Sequence, residues 1–247
     1  MSAYGAITTR NRPSGPLAST LWHCKPRTSP SAKYLTIHHL TLADALTHSG
    51  LLQYLHTCFA EELERGMTYP QEILQGETYT QSMFEGYFFG ADVLLGVVGE
   101  GNLPDGKNDG SVVELSLDVA RNGRSWEESV AGVYYVKPNY PGRSSHICNA
   151  GFLIPPAQRA KGFGAVLARS YLHYGPRLGY EASVFNLVYV NNVASVKLWE
   201  ALDFEKAGRI PRAGRLRKPD GSGEEYVDAW VFYRRFDDVT SVNEKAS

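Results

Sequence analysis

Two apolar segments of strand length flank a helical segment between residues 146 and 190, and this order constrains the fold more than any other feature. The flanking segments are residues 146–154 and 182–190. Residues 158–175 carry apolar side chains at helical spacing. The predicted buried stripe of this helix consists of Phe163, Val166, Leu167, Tyr171 and Tyr174. Because a helix joins them, the two strands are predicted to be parallel, with a right-handed connection.

Further strands and helices extend this α/β unit. An antiparallel hairpin is predicted from residues 129–142 and 145–154, and a charged turn after residue 214 precedes the last strand. The other predicted elements are helices over 41–65, 79–88 and 193–202 and strands over 91–99 and 226–236. We expect a domain over 41–236, an N-terminal arm or irregular strand over 1–40, and a polar tail over 237–247. In the helix over 193–202 the apolar residues Ala194, Leu198, Ala201 and Leu202 fall at the helical spacing i, i+4, i+7 and i+8.

Composition excludes several classes of function. The 25 basic and 26 acidic side chains give a net charge of -1, so neither nucleic acid nor a membrane surface is an expected partner. Cys24, Cys58 and Cys148 are odd in number and widely spaced, which predicts neither a disulfide framework nor a metal site. A reducing, cytoplasmic location is therefore expected.

The N-terminal segment offers an alternative location. No acidic residue precedes Asp44, and several Arg and Lys residues are interleaved with Ser and Thr, a bias typical of mitochondrial transit peptides. Prolines at positions 13, 16, 26 and 30 would interrupt the amphipathic helix of such a peptide. A cytoplasmic protein remains the expectation, and mitochondrial targeting the alternative.

Gly162 and Gly164 stand where the central helix begins. Glycine costs about 1 kcal/mol relative to alanine inside a helix, and the free amides of a first helical turn attract anions such as phosphate. A tight turn without a ligand is the alternative reading. A dinucleotide fingerprint lacks its third glycine, since Leu167 occupies that position, and a Walker loop lacks its G-K-[ST].

The glycines belong to a longer pattern. Arg159-x-x-Gly162-x-Gly164, followed by "NNVASVKLWEALDF", resembles the GNAT acetyltransferases, which cradle the pyrophosphate of coenzyme A in this turn. The resemblance implies a GNAT fold of the α/β class. Such a fold has a central mixed, mostly antiparallel sheet flanked by helices, with a parallel, splayed strand pair at the coenzyme site. It also implies acetyl-CoA as co-substrate and no metal.

Asparagine is depleted in strands, yet Asn149 and Asn186 lie within two neighbouring apolar strands. Each buried amide needs hydrogen-bond partners, at a bulge, at a strand end or from a ligand. "YVKPNYPGRSSHICNAGFLI", "GYEASVFNLVYVNNVASVKLWEALDF" and "IPRAG", with "ERGMTYPQ" upstream, resemble the fungal L-azetidine-2-carboxylate acetyltransferases over residues 50–235. This resemblance implies N-acetylation of small cyclic imino acids, which detoxifies proline analogues. It leaves open whether the protein is a homodimer.

The resemblance also implies roles for individual residues. Asn149 would bind the substrate carboxylate with its side chain, and Asn186 and Leu187 with their backbone amides. The amide of Phe152 would bind the thioester carbonyl, and the Asn192 side chain would face the sulfur; these two are the expected catalytic groups. The implied coenzyme contacts are Phe152, Ile154, Arg159, Ala160, Lys161, Gly162, Phe163, Gly164 and Asn192.

Trp199 stands where many GNAT enzymes have a tyrosine that protonates the leaving thiolate, and an indole cannot act as that acid. Cys148 is expected to face away from Asn149. His146 is predicted to be a satisfied histidine, and no general base is assigned. Tyr69 and Pro70 are placed either in a surface turn or at the acceptor pocket. Two alternatives remain open: a GNAT enzyme for another amine, such as an antibiotic, polyamine or protein N-terminus, and a non-catalytic coenzyme A binding module.

Overall fold

One continuous sheet of nine strands organises the computed structural model, which describes residues 13–25, 33–102 and 106–236. The strands are β1 (Thr20–His23), β2 (Tyr34–Leu40), β3 (Asp92–Val98), β4 (Ser111–Val112), β5 (Val130–Pro138), β6 (Ile147–Leu153), β7 (Ala182–Tyr189), β8 (Glu205–Arg217) and β9 (Glu224–Arg235). Their order is β4-β1-β2-β3-β5-β6-β7-β9-β8. Every neighbouring pair is antiparallel except β6 and β7, which are parallel as predicted.

Seven α-helices accompany the described strands. They are α1 (Leu42–Thr47), α2 (Leu51–Arg65), α3 (Gln81–Phe88), α4 (Leu117–Arg121), α5 (Trp126–Ser129), α6 (Phe163–Arg177) and α7 (Val193–Ala201). Thr41 caps α1, Thr80 caps α3 and Asn192 caps α7, each accepting a hydrogen bond from a backbone amide of the first turn. Helix α2 ends at Gly66, whose left-handed φ of 63° suits glycine.

The helices cover the sheet on two faces. On one face, named here the α6 face, Tyr134, Val136, Cys148 and Ala150 pack with the buried side of α6. On the opposite face, named the α2 face, Val133, Tyr135 and Leu153 pack with α1, α2 and α3. All five side chains of the stripe predicted for α6 are buried. Successive side chains of β5 and β6 therefore lie on opposite faces of the sheet.

Strands β6 and β7 pair over a short length and then part. Their register contains Ile147 with Ala182 and Cys148 with Ser183. Beyond these pairs β6 follows β5, whereas β7 follows β9. The space that opens beyond Cys148 and Ser183 is called the gap below.

Most predicted elements are confirmed; β4, α4 and α5, between residues 111 and 129, were not predicted, and further differences lie toward both ends of the chain. Residues 214–217, predicted as part of a charged turn, belong to β8, and the turn occupies residues 218–223. Leu198 in α7 and Leu202 at its C-cap are half-buried and pack against the core, as their spacing predicts, whereas Ala194 and Ala201 are exposed and the buried residue is Trp199. Strands β1 and β2 precede Thr41 and join the sheet. The polar tail at 237–247 lies outside the described residues.

Neither a membrane-spanning helix nor a metal-binding cluster is present in the described ranges. None of the helices found there combines the length and the apolar character that crossing a bilayer requires. No group of three or more His, Cys, Asp or Glu side chains in those ranges is arranged to hold a metal ion.

We expect the fold to lose stability in mild acid because of His38 on β2. Its Nδ1 lies 2.9 Å from Ser19 Oγ and its Nε2 2.9 Å from Thr36 Oγ1. Burial lowers the pKa of His38 to about 4 from 6.5, so the unfolded chain binds the proton first as pH falls. The free energy of unfolding should fall by ~1.4 kcal/mol per pH unit between pH 6.5 and 4 on account of this residue.

Urea titrations of the wild type and of His38→Gln from pH 7 to 4 measure this contribution, and the variant should show the shallower dependence. Burial also lowers the pKa of His173 to about 4, so His173→Gln serves as the companion variant. Parallel pH profiles for the wild type and His38→Gln would contradict the assignment.

Candidate active site

The backbone of β6 presents unpaired groups to the gap. The Asn139 amide donates to the Ile147 carbonyl at 2.9 Å, which fixes the phase of the β5–β6 ladder. In an antiparallel ladder, hydrogen-bonded residue pairs alternate with pairs that are not hydrogen-bonded. The pairs of Ala150 with Val136 and of Phe152 with Tyr134 are of the second kind, so the amides and carbonyls of Ala150 and Phe152 point away from β5. They point toward β7, which has already diverged. The Phe152 amide is thus oriented to donate to a group inside the gap.

Aromatic side chains fill the α6 face beside the gap. The Phe152 ring lies 5.4 Å from the Trp199 ring, and Trp199 lies 4.2 Å from Phe185 between ring centroids. Trp199 is buried, and its Nε1 donates to Ser195 Oγ at 3.1 Å. Trp199 therefore has a structural role, because it packs against Phe152 and Phe185 in the core.

Three asparagines meet on the α2 face where the strands part. Asn149 Nδ2 lies 3.0 Å and Asn186 Nδ2 2.6 Å from Oδ1 of Asn139. The Asn139 Nδ2 donates back to Asn186 Oδ1 at 3.3 Å. The structure therefore brings the two predicted asparagines together through a third, and each of the two retains amide hydrogens for another acceptor.

An irregularity in β7 exposes the backbone that the resemblance implicates. The register with β9 shifts between Phe185 and Val188, so Asn186 and Leu187 stand outside the regular ladder. Leu187 is exposed and Asn186 half-buried. Asn186 belongs to the asparagine trio, and Leu187 is the next residue of β7.

The turn before α6 has the backbone geometry of an anion cradle. Ala160 adopts a left-handed φ of 61° and Gly162 one of 77°, and no side chain caps the first amides of α6. A Cβ added at Gly164 would meet no atom within 4 Å. The fold itself therefore leaves room for a side chain at Gly164, and glycine there keeps the space clear for a ligand.

Arg159 and Lys161 bond to the protein on either side of this turn. Arg159 donates to Glu62 Oε2 at 2.5 Å and to the Ile154 carbonyl at 3.2 Å. Lys161 donates to Gln158 Oε1 at 3.0 Å. The guanidinium of Arg159 thereby ties the turn to α2 and leaves the uncapped backbone at the start of α6 as the feature suited to an anion.

Tyr69 reaches the gap from the segment after α2. Its hydroxyl donates to the Phe152 carbonyl at 2.8 Å, and its ring lies edge-on to Phe59 at 4.9 Å. Burial raises the pKa of Tyr69 well above its usual value, so the phenol stays protonated and remains a donor. Tyr69 is therefore packed against β6, whereas Pro70 beside it is exposed.

Asn192 fulfils its helix-capping role with one end of its amide. Its Oδ1 accepts from the Ser195 amide at 3.2 Å, which leaves Nδ2 for another acceptor.

Cys148 faces the opposite side from Asn149, where its Sγ lies 3.0 Å from Tyr171 Oη, and burial raises its pKa to about 12. A thiol held in this way is a poor nucleophile. His146 is exposed and bonds the Arg143 carbonyl.

Comparison with known proteins agrees with this geometry. Residues 103–204 match the model of the acetyltransferase (GNAT) family. Over 119 residues, 48% of this chain, the sequence is 50% identical to N-acetyltransferase aca1 of Schizosaccharomyces pombe. The chain matches about half of that relative, since the alignment spans 55% of its length.

Solved structures share the fold at low identity. A GCN5-related N-acetyltransferase from Kribbella flavida superposes with a TM-score of 0.56 and 22% identity, covering 81% of this chain and 97% of that one. The chain thus has the GNAT fold. The yncA protein of Salmonella typhimurium, whose structure includes its cofactor acetyl-CoA, superposes on this chain with a TM-score of 0.56 and 16% identity, covering 82% of this chain and 94% of that one.

The site also contains residues that sequence reasoning missed. Asn139 follows β5 directly and anchors the two predicted asparagines. Its position in "KPNYPG" is typical of a turn residue, which hides its role. Glu62, which binds Arg159, falls within an ordinary amphipathic helix. A hydrophobic pattern gives no signal for either contact.

We expect Gly164→Ala to separate coenzyme binding from stability. The methyl group fits the protein and favours helix by about 1 kcal/mol, so the melting temperature should hold or rise. The same methyl would occupy space in the pyrophosphate cradle and weaken binding of coenzyme A by about tenfold or more. Calorimetric titration with coenzyme A and thermal melting measure the two effects.

Gly162→Ala is the matched variant, because its φ of 77° strains an alanine by about 1–2 kcal/mol. It should lower the melting temperature. Unchanged coenzyme A affinity in Gly164→Ala would show that the cradle lies elsewhere.

Proposed function

We propose that the protein transfers the acetyl group of acetyl-CoA to the ring nitrogen of a small cyclic imino acid, such as azetidine-2-carboxylate or cis-4-hydroxyproline. The observation that carries this proposal is the convergence of Asn149, Asn186 and Asn139 at the mouth of the gap. Neutral amide donors in a partly buried site suit a carboxylate. The sequence resemblance described above points to the same acceptors.

Two sides of the gap would hold the two substrates. The backbone of residues 160–164 and the first turn of α6 offer amides to the pyrophosphate of coenzyme A. Ile154, the residue after β6, and Phe163, the first residue of α6, would also contact the coenzyme, as the resemblance implies. The asparagine trio and the displaced amides of Asn186 and Leu187 offer donors to the acceptor carboxylate. Acetyl-CoA supplies an activated thioester when bound.

The chemistry asks the protein to stabilise two developing negative charges. The Phe152 amide, oriented into the gap, would donate to the acetyl oxygen as its charge grows. The free Nδ2 of Asn192 would donate to the departing sulfur. Tyr69 holds the carbonyl of the next peptide unit, Phe152–Leu153, and so helps to position Phe152 in β6. No side chain of the described residues is assigned as a general base.

Substrate specificity tests the proposal. We expect the release of coenzyme A thiol from acetyl-CoA in the presence of azetidine-2-carboxylate or cis-4-hydroxyproline, and little release with spermidine or a short peptide. The four acceptors are compared at equal concentration. Turnover of spermidine or the peptide alone would favour an enzyme for another amine, and coenzyme A binding without turnover of any acceptor would favour a binding module.

Asn149 and Asn192 should affect different kinetic constants. Asn149→Ala removes a carboxylate donor and is expected to raise KM for the imino acid by about tenfold with little change in kcat. Asn192→Asp keeps the helix cap, because aspartate caps as well as asparagine, but loses the donor to the sulfur. It should lower kcat by about 10- to 100-fold without loss of stability.

Steady-state kinetics with each substrate varied, together with thermal melts, give these values. Small and equal effects of both substitutions would contradict the assigned roles.

A further inference from the structure

Lys137 places an ammonium group beside the asparagine trio. It lies near the end of β5 and pairs directly with Asn149 across the β5–β6 ladder. Directly opposed side chains project to the same face, with Cβ atoms about 5 Å apart. Lys137 therefore projects to the α2 face, where Asn149 and Asn139 meet.

Two tyrosines hold this ammonium at the edge of the gap. Lys137 Nζ lies 4.2 Å from the ring centroids of both Tyr87 and Tyr135, whose hydroxyls are 2.9 Å apart. The Tyr135 ring lies across Gly151, where an added Cβ would come within 2.5 Å of Tyr135 Cε1. Gly151 lies between Asn149 and Phe152 on β6, so the aromatic pair lies beside both proposed contact points of the acceptor reaction.

No counter-charge neutralises Lys137 within the part of the chain that the structure describes. Of the two carboxylates buried there, Asp92 pairs with Val136, hence on the opposite face, and bonds His39 at 3.0 Å. Glu62 bonds Arg159 and accepts from Thr68 Oγ1 at 2.6 Å. Burial alone lowers the pKa of Lys137 to about 8, since loss of water disfavours the charged form.

We propose that Lys137 binds the carboxylate of the acceptor and thereby selects α-imino and α-amino acids over uncharged and cationic amines. The inference rests on the proposed function and deepens it by naming the charged group that recognises the substrate class. The groups converging on this place are donors: the Lys137 ammonium, the Asn149 amide and the displaced backbone amides of β7. An anion completes such a set, whereas a polyamine would bring a second positive charge beside Lys137.

The test compares an acid with its amide. Azetidine-2-carboxylate and azetidine-2-carboxamide are titrated calorimetrically into the wild type, Lys137→Met and Lys137→Arg, each saturated with coenzyme A, so that no reaction occurs. Each of the three proteins is then assayed for turnover of the acid and of the amide with acetyl-CoA. Lys107→Met, in an exposed loop, is the control.

The wild type should prefer the acid, and Lys137→Met should weaken binding of the acid by about 10- to 100-fold while leaving the amide within about threefold. Lys137→Arg should restore much of the affinity. For the wild type the affinity for the acid should decline above about pH 8, where the free lysine loses its proton, and for Lys137→Arg it should not.

Three outcomes would overturn the assignment. Equal losses for acid and amide would indicate a merely structural role for Lys137, and unchanged affinity for the acid would exclude contact. A loss of kcat with unchanged acid binding would indicate a base. Lysine-dependent binding of the acid without turnover by the wild type would leave this inference standing and contradict the proposed acetyl transfer, so the two failures are distinguishable.

Discussion

The separation of β6 from β7 is the constraint on which the rest of the site depends. The two strands share two registered pairs and then diverge, so the backbone groups of Ala150 and Phe152 face a gap. A buried polar group without a partner costs about 1–3 kcal/mol, which makes this edge of β6 a place where polar ligands are favoured. Tyr69 satisfies the Phe152 carbonyl and leaves the amide of the same residue directed inward.

The two faces of the sheet contribute different chemistry at this separation. Toward α6, the rings of Phe152, Phe185 and Trp199 pack into the space beside the gap. Toward α2, the Asn139 side chain connects β6 and β7 through their asparagines. Apolar packing thus gives the gap a rigid wall on one side, and the amides give it a polar recognition surface on the other.

The electrostatic character of the site follows from how its charges are paired. Arg159 is bound by Glu62, so the groups that the turn before α6 can offer to an anion are backbone amides and a helix N-terminus. Lys137 packs against two tyrosine rings and has no ion pair among the described residues, so its charge on the α2 face is uncompensated. Both ends of the gap therefore present donors, which suits a phosphorylated donor and a carboxylate-bearing acceptor.

Much of the framework could be predicted from local properties of the sequence. Apolar periodicity indicated the order of β5, β6, α6, β7 and α7, the paired glycines marked the turn, and Asn149 and Asn186 were conspicuous because strands disfavour asparagine. The long strand β8 escaped notice because its side chains are mostly polar and exposed.

Tertiary structure alone decided which residues meet. Asn139 joins partners 10 and 47 positions away, and Tyr69 reaches Phe152 across 83 positions. Lys137 faces Asn149 only because of the β5–β6 register. Periodicity fixes how side chains alternate along one strand, but register and helix packing fix which strands and loops share a face, and these depend on the whole fold.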